Sequence, residues 1–257
     1  MMDNGADTSG VSCMRLHLMT WPQVEAYLAH STAIILPIGS TEQHGPTGLI
    51  GTDAMCAEAV ADQVAKALGV VVAPTLAIGM AQHHMAFPGT MTLKPSTLLA
   101  LVEDCLLSLV RHGFDRVLMI NGHGGNVATI NAAFAQTQME LDRLSPRPAL
   151  RTRLVNWWET PEVMAASVRM FGDAVGSHAT PPEVALTWAL HPDLADPHPL
   201  VPAVAPTGAF FGAGDFRNSF PDGRIGSNPS LASPAAGEEL LKIAADEMTR
   251  LASDFFA

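Results

Sequence analysis

With 257 residues, 48% of them hydrophobic and 15% charged, the chain can fill a large buried core, yet no apolar run is long enough to span a membrane. A formal net charge of −11 gives no basic footprint for nucleic acid or an anionic lipid surface. The scattered Cys13, Cys56 and Cys105 read as reduced core thiols, and the polar N-terminus does not read as a signal peptide, so a cytoplasmic protein is expected.

In chain order, Thr20-Trp21-Pro22 opens a short helix ending near His30, with Thr20 as N-cap. Ala33 to Ile38 is uncharged and rich in β-branched residues, and predicts a buried strand. It runs into Gly39-Ser40-Thr41-Glu42-Gln43-His44-Gly45-Pro46 and then Gly51-Thr52-Asp53. Glu42 and His44 are two apart, so on extended backbone their side chains share a face. Asp53 directly precedes a helical pattern and can both cap that helix and turn an oxygen toward the pair. Three hard or borderline ligands at a strand end suit a hydrolytic divalent metal.

The helix from Asp53 to Leu68 carries the stripe Cys56, Val60, Val64, Leu68, with Gly69 as its stop. Val70 to Ile78 predicts a second strand, interrupted by Pro74. Ser96 is the expected cap of a helix ending before Gly113. Arg116 to Ile120 reads as a third strand, Val127 to Leu144 as a helix, and Leu150 to Asn156 as a fourth strand. Strands alternating with helices imply a parallel sheet covered on both faces, here one domain over residues 1–257. The stretch from Asp193 to Ser233, rich in Pro, Gly, Asn and Phe, reads as a long surface excursion.

Open parallel sheets place their sites at the carboxyl ends of the strands. Four strand ends lead here into polar or imidazole-bearing segments: Glu42 and His44, then Gln82-His83-His84, then Asn121 to Asn126, then Asn156 to Glu159. His83 and His84 should point apart on regular backbone, so one at most serves the site; His84 is the substrate-binding candidate. His123, flanked by Gly122, Gly124 and Gly125, suits an imidazole reaching for a metal better than a phosphate loop, because Val127 stands where a dinucleotide fingerprint needs glycine. Thr180 and Glu183 have capping-box spacing, so Glu183 is equally a helix cap or a ligand on this reading. His178 reads as a hydrogen-bonded histidine beside that helix start. His17, His30, His112, His191 and His198 read as surface or loop groups.

Ser40 to Pro46 with Gly51-Thr52-Asp53, then Phe87-Pro88-Gly89-Thr90, then Asn121 to Asn126, together resemble the creatininase (creatinine amidohydrolase) family. The resemblance runs from about Pro37 to Glu183, with an echo at Gly226 to Pro229. It implies a three-layer α/β/α sandwich with a mainly parallel sheet. It implies two divalent metal ions, zinc first with manganese or iron as alternatives, hydrolysis of a non-peptide C–N bond, and a hexamer. By resemblance, Glu42 and His123 hold one metal, His44 the other, and Asp53 bridges them. The creatinine-hydrolysing members carry a glutamate where Gly125 stands; many relatives instead carry one five residues after the later histidine, which makes Glu183 the fifth ligand. His178 is then the candidate to position substrate or shuttle a proton, with Glu183 beside it.

Trp157 matches a pocket tryptophan of that family. Ala81 replaces a serine, Gly124 a tyrosine, and Ala174-Val175 a tryptophan–aspartate pair. Ala81, His84, Gly124, Gly125, Trp157 and His178 are therefore the substrate-binding candidates, and the expected substrate is a small cyclic amide other than creatinine. The alternatives are a formamide deformylase, a peptide-trimming relative, a phosphate-binding α/β protein, and a non-catalytic binding module.

Overall fold

The computed structural model describes residues 14–257; Cys13 lies outside them. Four strands, β1 (Ala33–Ile38), β2 (Val71–Val72), β3 (Arg116–Asn121) and β4 (Arg151–Asn156), form one all-parallel sheet in the order β2-β1-β3-β4. β1 and β3 are in register from Ala33↔Arg116 to Ile38↔Asn121, so both central strands end at the same level. The expected second strand from Val70 to Ile78 shrinks to two residues, because Pro74 has no N–H to give the ladder. Pairing resumes beyond it only as a bridge between Ile38 and Leu76.

Side-chain alternation along the strands builds the two outer layers. Ile35, Leu118 and Ile120 face α2 (Thr52–Leu68), α5 (Pro161–Phe171), α6 (Pro181–Leu190) and α8 (Pro234–Phe256). Ile34, Leu36, Ile38, Val117 and Met119 face α3 (Pro95–His112) and α4 (Val127–Asp142). The result is the three-layer α/β/α sandwich. The first helix, α1 (Trp21–Leu28), packs Val24 and Tyr27 against the α3/α4 side, and the Thr20 amide donates to Gln23 Oε1 at 2.7 Å. Among the described residues no helix is long and apolar enough to cross a membrane.

Two capping expectations are corrected. The N-cap of α3 is Lys94, with Pro95 opening the helix, so Ser96 lies inside the first turn. Gly51 is the N-cap of α2, and Asp53 is its second helical residue, which frees both carboxylate oxygens for other partners.

Residues 193–219 are largely exposed, as a surface excursion should be, but the stretch to 233 is more ordered than expected and is mostly buried from 223 to 230. They carry α7 (Ala213–Ser219), whose Phe216 is buried with Phe220 and Phe87 in a third apolar cluster against Phe210. Arg224, fully buried, donates to the carbonyls of Ala203 (2.9 Å), Ser227 (3.0 Å) and Pro202 (2.8 Å) and pairs with Asp222 at 2.7 Å. Segments rich in Pro, Gly and Asn cannot make regular ladders, but here a guanidinium and four phenyl rings do the ordering instead. The segment forms a roof over the strand ends.

Candidate metal centre

The first turn of α2 lies directly across the ends of β1 and β3. A Cβ on Gly122 would stand 2.0 Å from the Asp53 carbonyl oxygen, so only glycine permits the approach. Asp53 is thereby delivered between the two strand-end segments, near the positive end of its own helix. Its Oδ1 is 3.0 Å from His44 Nε2 and its Oδ2 is 3.2 Å from His123 Nδ1. Glu42 Oε1 lies 3.3 Å from His123 Nδ1, and Glu183 Oε2 lies 3.9 Å from His44 Nε2. Two groups with ligand atoms within 4.8 Å of one another therefore share Asp53: Glu42–Asp53–His123 and His44–Asp53–Glu183.

Glu183 combines both of its sequence readings. Its Oε1 accepts from the Thr180 amide at 2.5 Å, completing the cap of α6, while Oε2 is left to face His44.

The donor chemistry fits cations. The buried Glu42 Oε1, Glu42 Oε2 and Asp53 Oδ2 have no hydrogen-bond partner, a costly condition for carboxylate oxygens unless a cation sits against them. His44 Nδ1 lies 3.1 Å from the Glu42 carbonyl and His123 Nε2 lies 2.9 Å from the Met80 carbonyl, so each ring donates backward. The nitrogen facing the carboxylates is then the one able to give a lone pair to a metal.

Electrostatics agree. Burial opposes charge on His44, but Asp53, Glu183 and Glu42 outweigh it and raise its pKa to about 10. Burial likewise opposes charge on His123, and Glu42 and Asp53 raise it to about 9. Asp53 is itself held below the usual carboxylate range: burial works against this, and His44 and His123 overcome it. Burial pushes Glu183 up, with His44 pulling the other way. A field that holds protons on two buried imidazoles is one in which metal cations can take their place, releasing those protons.

His84 and His178 belong to a second ring of groups. Burial, then His83, His44 and His123, lower His84 to about 2. Burial, then His84 and His44, lower His178 well below its ordinary value. The two rings stack at 4.2 Å. Gln43 Nε2 lies 2.9 Å from His84 Nδ1 and 2.9 Å from the Gly223 carbonyl, which accounts for its two protons. His178 Nε2 then donates to the Gln43 carbonyl at 2.8 Å. These partners assign the tautomers: His84 carries its proton on Nε2, which lies 3.2 Å from Glu42 Oε1 but outside hydrogen-bonding geometry, and His178 presents an unprotonated Nδ1, 3.8 Å from the same oxygen.

The expectation that His83 and His84 point apart fails. They sit on a single 3-10 turn with ring centroids 4.0 Å apart, and His83 also stacks on Phe210 at 4.9 Å. A cavity of about 600 Å³ opens from the cluster, with His83, His84, Gly124, Gly125, Trp157 and His178 on its wall. Ala81 is buried, its amide donating to Thr92 Oγ1 at 2.8 Å, and it is not part of that wall.

Several contributors went unassigned in the sequence. Gln43 is one; Asn121 and Asn126 are others. Asn121 donates to the His123 carbonyl (2.6 Å) and to Asn156 Oδ1 (2.8 Å), and Asn126 ties the Gly39 carbonyl (3.0 Å) to the Met80 amide (3.0 Å). Asparagines placed immediately before and after glycine turns at strand ends were the available signal.

An all-parallel α/β sheet whose carboxyl rim gathers two carboxylate–imidazole groups around a shared aspartate belongs to the class of metal-dependent hydrolases. The chain is a member of the creatininase family: the family model for creatininase, creatinine amidohydrolase, matches residues 17–252. It is 30% identical to the creatinine amidohydrolase of Pseudomonas putida over 240 residues, 88% of this chain and 90% of that one. It is 38% identical to the mycofactocin precursor peptide peptidase of Mycolicibacterium smegmatis over 113 residues, 42% of this chain and 45% of that one. Solved creatininases, one of them a manganese form, align with a TM-score of 0.82 at 26% identity, covering 95% of this chain and 98% of theirs.

Proposed function

We propose that this chain hydrolyses the C–N bond of an amide with two divalent ions, zinc or manganese, and that creatinine is not its substrate. The observation carrying this is Asp53, whose two oxygens address His44 Nε2 and His123 Nδ1 separately. In this reading Glu42 and His123 hold one ion, His44 and Glu183 the other, and Asp53 both.

When bound, such cations would lower the pKa of a bound water and polarise a carbonyl oxygen, the chemistry amide hydrolysis needs at neutral pH. The protein's own groups do the rest. His178, its Nε2–H anchored on the Gln43 carbonyl, holds Nδ1 free to take a proton and return it to the leaving nitrogen. Gly124 and Gly125 open a 3-10 turn, where amide N–H groups lack intrahelical acceptors and can meet a developing oxyanion. His84 Nε2 flanks Glu42 Oε1 at 3.2 Å.

The departure at position 125 is consistent with this assignment. A Cβ on Gly125 would stand 2.4 Å from His123 Nε2 and 2.6 Å from the Met80 carbonyl oxygen, so a glutamate has no room there as the backbone runs. Glu183 supplies the carboxylate from the opposite side. A small cyclic amide is the first substrate to test. Peptide trimming is the second reading, favoured by the similarity to the mycofactocin precursor peptide peptidase. Homo-oligomerisation, as a hexamer, is carried with the family resemblance, and a cytoplasmic location with the reading of the cysteines as reduced thiols.

Elemental analysis of purified protein should find two divalent ions per chain. Chelation should abolish amide hydrolysis, and zinc or manganese should restore it. Protein that carries no divalent metal, or hydrolysis indifferent to chelators, would sink the reading.

A further inference from the structure

The cavity of about 600 Å³ lies within the range of about 300–1,000 Å³ that takes drug-sized ligands, and a five- or six-membered cyclic amide would leave most of it empty. Beyond the carboxylates, the imidazoles and the hydroxyls of Ser167, Ser177 and Thr180, its wall is mostly apolar, with Trp157, Trp158, Met164, Val168, Val175 and Phe210. Met164 and Val168, on α5, are 54% and 63% exposed, large values for apolar side chains facing a cavity. At position 124 a Cβ would meet nothing closer than Trp158 at 3.9 Å, so the space a larger residue would fill is open.

Charge is as one-sided as shape. No lysine or arginine lines the cavity among the described residues. Asp53 and Glu183 face the metal positions, which leaves Glu159 as the remaining charged group on the wall, exposed and held by Asn156 Nδ2 at 2.6 Å. A ligand carboxylate in the outer cavity would lose water and gain no counter-ion. A phenyl or branched alkyl group would be covered on several sides.

We propose that the site takes amides bearing a bulky, uncharged apolar group next to the scissile bond and discriminates against those bearing a carboxylate there. This rests on the metal-hydrolase reading for the word amide, but the shape and charge of the outer cavity are independent of it.

The test is calorimetric binding of acetohydroxamate, benzohydroxamate and 4-carboxybenzohydroxamate to the zinc-loaded protein, alongside turnover of N-methylformamide and N-benzylformamide. Benzohydroxamate should bind at least about tenfold more tightly than acetohydroxamate, as covering a phenyl ring permits, and the 4-carboxy compound should lose most of that gain. Gly124→Phe, which fills the cavity, should shrink the phenyl advantage. Val168→Arg, at an exposed position, should selectively restore the carboxylated ligand. Equal affinities for the three probes, ratios unmoved by both variants, or no binding by any of them would overturn the proposal. Binding in the expected order without hydrolysis of any amide would leave it standing and refute the hydrolase reading.

Discussion

The rim at the ends of β1 and β3 and the roof formed by residues 193–233 face the same cavity but are held by different physics. The rim is fixed by strand register, a helix terminus and short polar bonds: Ile38 pairs with Asn121, and Asn126 bonds the Gly39 carbonyl at 3.0 Å. The roof is fixed by the Phe87–Phe216–Phe220 cluster and by one buried guanidinium. The first arrangement sets charges to within a bond length, which ligand atoms require. The second sets volume and greasiness, which tolerate small adjustments. Chemistry is thus assigned to one region and fit to the other.

Three substitutions test how far that division goes. Asp53→Asn should have the largest effect. Both ions should be lost and activity should fall by more than about 100-fold, since even groups that only orient metal ligands are worth about 10–100-fold. Far-ultraviolet circular dichroism should show the fold intact. Wild-type turnover with full metal content would mean that the rim does not do the chemistry. Phe216→Ala, at a fully buried roof position, should cost about 3–5 kcal/mol in denaturant unfolding while the folded protein still carries two ions. Metal loss in parallel with stability would show that rim and roof are not separable. Glu183→Gln is the finest cut. Glutamine serves a capping box as well as glutamate does, so stability should move by less than about 0.5 kcal/mol. Metal affinity at one position should nevertheless drop at least about tenfold, and content should approach one ion per chain in elemental analysis. Two tightly held ions in that variant would reduce Glu183 to a cap.

The same division explains what could be read from the sequence. Rim residues lie within a few positions of strand ends, so spacing alone brings Glu42, His44 and Asp53 close, and glycines flanking His123 mark its turn. All four strands lie where the sequence reading places them, β1 and β2 from apolar runs, apart from the truncation that Pro74 imposes on β2. The roof left little local trace, because Phe216 and Arg224 are ordered by partners far along the chain, such as Phe87 against Phe216. The close approach of His83 and His84 was illegible for a different reason: the backbone there is a 3-10 turn, where adjacent side chains need not diverge. Exposure of His17, His30, His112, His191 and His198 agrees with their reading as surface groups.

Roof and rim meet where Gln43 Nε2 finds the Gly223 carbonyl at 2.9 Å. The acceptor is main chain, in a left-handed turn with φ of 86°, so no roof side chain is committed to the bond. Positions in that segment other than Phe216, Phe220, Asp222 and Arg224, which hold it together, are free to drift, or to be redesigned for a new ligand, while the imidazoles beneath keep their orientation. A library that randomises the exposed roof positions while keeping Gly223, Phe216, Phe220, Asp222 and Arg224 is accordingly a natural route to altered selectivity in this scaffold.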